Sequence, residues 1–209
     1  QHLADLGALE AAARRSDRRI ALSEAHLRQP VIRPGKILAI GLNYAAHVAE
    51  SVSFISNDKP EVQKWFNKQS TAANGPGSPI HVPKVSQQLD YEAELVLVIG
   101  KHGRHVPKEK AFDIIAGVSC GCDCSVRGWQ KASPTMIMGK GFDTHAPFGP
   151  HLVTVQGPDD REPERAAHRA AERFPSVWVG AADGDDAGRA AGLDGTDDGA
   201  GVAGVLHTQ

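Results

Sequence analysis

One segment of the chain shows the clearest alternation of polar and hydrophobic positions. Residues 90–94 alternate acidic with other side chains, and residues 95–99 are an unbroken aliphatic run. This pattern predicts a β-strand that enters a buried sheet. In one continuous strand, the carboxylates of Asp90, Glu92 and Glu94 would project from the same face, with neighbours about 6.6 Å apart.

This row of acids has two interpretations. At an effective dielectric constant near 20, each neighbouring pair of carboxylates would repel by roughly 2 to 3 kcal/mol. A buried sheet would not hold them ionised without a cation, and three hard oxygen donors favour Mg²⁺, Mn²⁺ or Ca²⁺ over Zn²⁺. The alternative is an edge strand whose acids face water, which is common in half-solvated sheets. The strand pattern leaves both open.

Shorter patterns predict the elements around this strand. Residues 1–15 carry leucines and alanines at helical spacing, which indicates a peripheral helix, and residues 36–41 indicate a short buried strand after a linker with Pro and Gly. Pro107 opens a predicted short helix over residues 108–113. Residues 114–127 predict another strand, so strands and helices are mixed along the chain.

The strand over residues 114–127 would place functional side chains on both of its faces. Its alternation sends Asp123 and Arg127 to one face. Asp123 is compatible with a buried Asp–Arg pair or with a metal ligand, in equal measure. The opposite face carries the three cysteines, Cys120, Cys122 and Cys124. Their alternate spacing favours reduced thiols in a cytoplasmic protein over a disulfide framework or a zinc ribbon.

A second candidate for chemistry lies earlier in the chain. Asn43 is a good N-cap for a short helix in which His47 and Glu50 share one face. Such a pair is typical of a general base, with the carboxylate orienting the imidazole, and also of an ordinary surface histidine near a glutamate. Residues 52–64 lack periodicity, which predicts a loop, interpreted as a lid. Lys140, between two glycines, is compatible with a ligand contact or with solvent exposure.

Composition narrows the classes of function. The chain has 209 residues, 41% of them hydrophobic, with a net charge of −2 and a pI near 6.6. A slightly negative net charge does not favour binding to nucleic acid or to an anionic membrane. No apolar run is long enough to span a bilayer. We expect a small-molecule substrate. The predicted organisation is an N-terminal helical extension and linker (1–32), a core (33–154) and a tail of low hydrophobicity (155–209).

The order and spacing of the motifs in the core resemble the fumarylacetoacetate hydrolase family over about residues 33–154. The motifs are Arg33-Pro34-Gly35-Lys36 running to Asn43-Tyr44 with His47 and Glu50, Phe66-x-Lys68, Asp90-Tyr91-Glu92-Ala93-Glu94-Leu95, Asp123-x-Ser125-x-Arg127-x-Trp129-Gln130, and Gly139-Lys140-x-Phe142-Asp143-Thr144. Any one of them is weak, but their ordered conjunction is specific. The resemblance implies a mixed α/β, mainly β fold, with a rolled mixed β-sheet, peripheral helices and an atypical or incomplete C-terminal part.

The resemblance also implies a site and its partners. Mg²⁺, with Mn²⁺ or Ca²⁺ as substitutes, would be held by Glu92, Glu94 and Asp123, and the substrate would be a small oxo- or enol-carboxylate. The implied catalytic residues are His47, Glu50 and Lys140. The implied substrate-binding residues are Lys68, Arg127 and Gln130. Members of the family commonly form homodimers, so a homodimer is expected here, with neither nucleic acid nor a membrane as a partner.

Within the family, the resemblance ranks hydrolysis of a C–C bond beside a ketone, in an acylpyruvate or another β-diketo acid, first. A 2-hydroxyhepta-2,4-diene-1,7-dioate isomerase or an oxo-acid decarboxylase ranks second, and an inactive metal-binding remnant is the alternative from another class. Cys122 and Gly128 stand where the family usually has Asn and Asp, and the lost carboxylate at 128 is expected to loosen Arg127.

The tail differs from the rest of the chain. From Gly157 onward it is dominated by Ala, Gly, Asp and Arg, and the family's C-terminal motifs do not follow Thr154. This composition predicts disorder or an irregular path. We interpret the tail as a frameshifted or otherwise aberrant end. Sequencing of the source gene tests this, because an offset frame past Val155 that encodes no family sequence contradicts it.

Overall fold

A computed structural model gives the fold and describes residues 6–42, 62–155 and 202–207. Its main element is a six-stranded sheet with the order β2-β1-β10-β5-β6-β9. The strands of this sheet are β1 (Lys36–Gly41), β2 (Lys64–Lys68), β5 (Ala93–Ile99), β6 (Ile115–Cys122), β9 (Val153–Thr154) and β10 (Val202–His207). Neighbouring strands are antiparallel except β10 and β5, which are parallel, so the sheet is mixed.

Two small sheets and a few short helices complete the described part. The small sheets pair β3 (Ala73–Asn74) with β8 (Ala146–Pro147) and β4 (Leu89–Asp90) with β7 (Ser125–Val126). The α-helices are α1 (Leu6–Arg15), α2 (Arg127–Lys131) and α3 (Ile137–Lys140), and 3₁₀ turns span Leu22–Glu24, Ser70–Ala72 and Lys108–Ile114. Strand exceeds helix in the core, as the predicted mixed, mainly β class requires.

Both faces of the sheet carry a hydrophobic cluster. One hydrophobic cluster includes Val96 and Val98, and the other contains Leu95 with Leu97 against it. Because side chains alternate along β5, the two clusters lie on opposite faces of that strand. Burying one such aliphatic side chain contributes about 1.5 to 3 kcal/mol, which accounts for the aliphatic run in the sequence. The first cluster also holds Ile37, Ala72, Ala146 and Phe148.

Two strands predicted as continuous are each broken at the same place. The strand expected over residues 90–99 separates into β4 and β5, and the strand expected over residues 114–127 separates into β6 and β7. The two segments keep each other as antiparallel partners on both sides of the break: Ala93 pairs with Cys122 in the large sheet, and Asp90 pairs with Ser125 in a small one. We call the residues between these pairs, 91–92 and 123–124, the paired corner.

Part of the tail also departs from prediction. Residues 202–207 were expected to follow an irregular path, but they form β10, between β1 and β5. The average composition of residues 155–209 hides the local sequence Val-Ala-Gly-Val-Leu-His, which suits a strand. The predicted helix with His47 and Glu50 lies outside the described residues, as do residues 52–61 of the predicted lid.

Candidate metal centre

The paired corner brings three acids together. Glu92 and Asp123 lie in the corner itself, where the Asp123 amide donates a hydrogen bond to the Glu92 carbonyl at 2.8 Å, and Glu94 follows on β5. One carboxylate oxygen from each of these three residues lies within 4.8 Å of the others. They are the three residues that the family resemblance implied as metal ligands, and two separate parts of the chain supply them.

Asp90 does not belong to this cluster. The pattern of alternation placed it in one row with Glu92 and Glu94, but it lies on β4, beyond the break in the strand. Its Oδ2 accepts hydrogen bonds from Arg127, at 2.8 Å from Nε and 2.7 Å from Nη2. Asp90 therefore serves as the counter-ion of Arg127, because the corner turns it away from the other two acids.

Two buried lysines contact the cluster. The Lys140 side chain is 2% exposed, and its Nζ donates to Glu92 Oε1 at 2.9 Å and to Asp123 Oδ2 at 2.6 Å. Lys68 Nζ donates to Asp123 Oδ1 at 2.5 Å and to the Cys124 carbonyl at 3.0 Å. The interpretation of Lys140 as a solvent-exposed lysine is therefore wrong, since the acids of the corner compensate its burial.

Lys140 is positioned by its neighbours in the fold. It ends α3, and a Cβ on the preceding Gly139 would lie 2.3 Å from the Gln130 backbone nitrogen on α2. Only glycine allows the two helices to approach this closely. The Phe66 ring, on β2, lies 4.9 Å from Lys140 Nζ and adds a cation–π contact. The sequence marked Phe66 only as part of a motif, and its spacing from Lys68 was the available signal.

Arg127 is held more firmly than its sequence context predicts. Its guanidinium contacts Asp90 and, through Nη1, Glu92 Oε1 at 2.7 Å and Gln130 Oε1 at 2.9 Å. The absence of an acid at Gly128 was expected to loosen it, but Asp90 supplies a carboxylate from across the small sheet. The Arg127 side chain stays 33% exposed, so solvent reaches the guanidinium group.

Ser125 is a residue of the site that sequence reasoning placed on the right face without giving it a role. Its buried hydroxyl donates to Glu92 Oε1 at 2.7 Å. Burial acts to raise the pKa of Glu92, but Lys140, Arg127 and this hydroxyl outweigh it and hold that pKa below its usual range. Glu92 is thus a carboxylate fixed in the ionised form.

Glu94 has the opposite environment, and it provides the test of whether a cation fits. Its Oε2 is buried and has no hydrogen-bond partner among the described residues. Burial, followed by the charges of Asp123 and Glu92, raises the pKa of Glu94 to about 8. A cation beside Glu94 would compensate this carboxylate, and a set of three carboxylate oxygens suits a hard divalent ion. The residues present therefore fit such an ion.

The raised pKa of Glu94 predicts a specific pH dependence of stability. The pKa of this group is near 4.5 when unfolded and about 8 when folded. Its contribution is therefore fully present below pH 4.5 and is lost as pH rises through 8. Without metal, Glu94→Gln should stabilise the protein more at pH 8 than at pH 5, by on the order of 1 to 3 kcal/mol.

Chemical unfolding in EDTA between these pH values measures this difference. Glu109→Gln, in an exposed 3₁₀ turn, is the matched control and should show no such trend. A stability difference between wild type and Glu94→Gln that stays constant with pH would contradict the buried, partnerless state of Glu94.

Comparison with known proteins identifies the family. Three carboxylates beside two buried lysines form a candidate binding site for a hard divalent cation. A family model described as Fumarylacetoacetate (FAA) hydrolase C-terminal matches residues 36–178, more than half of the chain. The chain belongs to the fumarylacetoacetate hydrolase family. The matched region runs past residue 154, where the motifs recognised in the sequence end.

Relatives within this family include several kinds of enzyme. A Xenopus laevis protein named oxaloacetate tautomerase fahd2, mitochondrial, is 39% identical over 137 residues, which cover 65% of this chain and 42% of that protein. A 5-carboxymethyl-2-hydroxymuconate delta-isomerase from Mycobacterium smegmatis is 34% identical, with a TM-score of 0.58, covering 69% of this chain and 55% of that one. The chain thus spans less than two thirds of these relatives.

A third relative is a fumarylacetoacetate hydrolase from psychrophilic Exiguobacterium antarcticum, 31% identical with a TM-score of 0.52. The match covers 72% of this chain and 56% of that one. These structures share the fold predicted for the core. Within the described residues, the helices are too short and too polar to cross a bilayer.

Proposed function

We propose that this chain carries the centre of a Mg²⁺-dependent enzyme that moves a proton at the carbon beside the ketone of a 2-oxo dicarboxylate. This is the reaction of a tautomerase or isomerase. The observation that carries the proposal is the cluster of Glu92, Glu94 and Asp123, whose ligand atoms lie within 4.8 Å, with Lys140 buried against two of them. Relatives named as an oxaloacetate tautomerase and as a delta-isomerase support this reaction class.

The charges of the site favour an anionic substrate. The ionisable groups in mutual contact are Asp90, Glu92, Glu94 and Asp123, against Lys68, Arg127 and Lys140. When all are ionised, the four acids and three bases sum to −1, and a divalent cation changes the sum to +1. A carboxylate substrate then returns the site towards neutrality, which lowers the cost of burying these charges.

Lys140 is suited to stabilise the negative charge that develops on the substrate. Its ammonium group has three N–H donors and lies between Glu92 and Asp123, beside the position where a substrate oxygen would dock. A divalent cation held by the three carboxylates would supply Lewis-acid polarisation of the carbonyl. A preorganised donor of this kind is worth about 3 to 4 kcal/mol in the transition state.

The other predicted residues divide into two groups. Arg127, partly exposed and tied to Gln130, is placed to bind a substrate carboxylate with its planar fork of donors. Lys68 is almost fully buried under Asp123, so its role here is to hold that ligand, and a direct substrate contact stays a prediction. His47 and Glu50 lie outside the described residues and stay the predicted proton-transferring pair.

Hydrolysis of a C–C bond in an acylpyruvate is the second candidate. The family description and the relative from Exiguobacterium antarcticum support it. It needs the same carboxylates and the same donor at Lys140, together with a base that activates water. Decarboxylation of an oxo-acid needs the same stabilisation of negative charge on the substrate, so the same residues would serve it.

A substrate screen with and without Mg²⁺ tests these proposals. The protein is mixed with the enol form of oxaloacetate and, separately, with an acylpyruvate, and the loss of each ultraviolet absorbance is followed. We expect faster ketonisation of the enol in Mg²⁺ than in EDTA. Turnover of the acylpyruvate alone would favour hydrolysis. Binding of Mg²⁺ with turnover of neither substrate would favour the inactive remnant.

A further inference from the structure

Two thiols touch each other beside the candidate ligand Asp123. Cys122 ends β6 and Cys124 follows Asp123 in the paired corner, and their Sγ atoms lie 3.5 Å apart. In a regular strand, side chains two positions apart are separated by about 6.6 Å. The break between β6 and β7 therefore brings these two thiols into contact. Both are reduced in the structure.

We propose that Cys122 and Cys124 form an oxidisable dithiol site whose disulfide weakens binding of the divalent cation at Asp123. The chemical partner is a small hydroperoxide. The inference rests on the proposed metal centre for its effect, whereas formation of the disulfide is independent of it. The family resemblance assigned no role to these cysteines.

Access to the two thiols differs in a way that orders the reaction. Cys122 is half-buried and lines a cavity of about 40 Å³, which also reaches Asp123, whereas Cys124 is 1% exposed. A small peroxide that enters this cavity meets Cys122, because Cys124 is not among the lining residues. Cys122 is therefore the thiol that meets the oxidant.

The proposed reaction has two balanced steps. The Cys122 sulfur attacks one oxygen of hydrogen peroxide, the O–O bond breaks, and a sulfenic acid and one water form. The Cys124 sulfur then attacks the Cys122 sulfur, the S–O bond breaks, and the S–S bond and a second water form. The two thiols lose two electrons and two hydrogens in total, and the peroxide is reduced to water.

The disulfide affects Asp123 because this residue lies between the two cysteines. Bond formation requires the sulfur atoms to approach by about 1.5 Å from their present contact. The backbone around Asp123 is fixed by hydrogen bonds from the Asp123 amide to the Glu92 carbonyl and from Lys68 Nζ to the Cys124 carbonyl. Because the two sulfur atoms belong to the residues on either side of Asp123, their approach strains these hydrogen bonds and displaces the Asp123 carboxylate relative to Glu92 and Glu94. Mg²⁺ tolerates such displacement poorly because it demands near-ideal octahedral geometry.

The experiment compares one protein in two redox states. The full chain is treated with hydrogen peroxide, the excess is removed with catalase, and the Mg²⁺ affinity is measured by titration calorimetry before oxidation, after it, and after reduction with dithiothreitol. Intact mass and peptide mapping locate the disulfide. We expect a loss of two hydrogens in mass, a Cys122–Cys124 peptide, and Mg²⁺ affinity weaker by on the order of tenfold that recovers on reduction.

Two variants assign the effect to this pair. Cys124→Ser should lose both the mass change and the redox dependence of Mg²⁺ affinity, whereas Cys120→Ser, on the same strand, should keep both. A disulfide that does not form, or Mg²⁺ affinity equal in both redox states, overturns the proposal. A reduced protein that binds no Mg²⁺ contradicts the metal centre and the proposed effect of the disulfide on it. Peptide mapping still shows in that case whether Cys122 and Cys124 form a disulfide.

Discussion

Lys140→Met lowers kcat roughly 10²- to 10³-fold in the presence of Mg²⁺, while Mg²⁺ binding persists. Methionine keeps a long, flexible stem in the space beside Phe66 and removes the charged nitrogen. The lost donor is the one placed against Glu92 and Asp123, where charge develops on the substrate. Steady-state kinetics on the substrate found in the screen measure the effect, with Mg²⁺ affinity measured in parallel.

Measuring kcat and Mg²⁺ affinity separately distinguishes loss of the Lys140 donor from loss of the metal site. Removal of the buried ammonium leaves Glu92 and Asp123 without one of their counter-ions, so the metal-free protein loses about 3 to 5 kcal/mol of stability. Assays therefore contain saturating Mg²⁺. Lys110→Met, at an exposed lysine, is the control and should leave kcat unchanged. If Lys140→Met retains kcat within about threefold of wild type, Lys140 is not the main charge-stabilising donor.

The second large effect is on the thermal response to Mg²⁺. A ligand that binds the folded state stabilises it by about 2.7 kcal/mol at 100 times its Kd. Wild type should therefore show a clear rise in Tm with Mg²⁺, and Glu92→Gln should abolish it, because one of three charged oxygen ligands is lost. Differential scanning calorimetry with EDTA or Mg²⁺ measures the shift.

Asp90→Asn is the matched control for this variant. The substitution also removes a carboxylate that contacts Arg127, since Asp90 Oδ2 lies 2.7 Å from Arg127 Nη2. Asp90, however, lies outside the cluster of possible ligands. Its Mg²⁺-induced shift in Tm should equal that of wild type. If both variants lose the shift, Arg127 and the small sheet determine it; if neither does, the cation binds elsewhere.

Local patterns predicted several elements well. The helix expected over residues 1–15 is observed over its described part as Leu6–Arg15, and the strand expected over residues 36–41 matches β1. The aliphatic run that ends β5 is buried on both faces, as its composition indicated. These elements depend on neighbours in sequence, so hydrophobic periodicity was sufficient to find them.

The paired corner could not be predicted from the sequence, because local periodicity does not reveal it. An alternating pattern looks the same whether a strand continues or is interrupted, because the side-chain period is two on both sides of the interruption. Thus Asp90 was grouped with Glu92 and Glu94, and the contact between Cys122 and Cys124 went unnoticed. The tail strand β10 was missed because a six-residue run was averaged into a polar segment.

The sequence by itself determined the family, the chemical type of the donors and the identity of the three acids proposed as ligands. Only the tertiary structure decided that Lys140 is buried against Glu92 and Asp123, that Asp90 serves Arg127, and that two thiols meet beside Asp123. The reason is that residue type and spacing specify which groups are available. Which charges share a site depends on strand pairings between distant segments, and these do not appear in the local sequence.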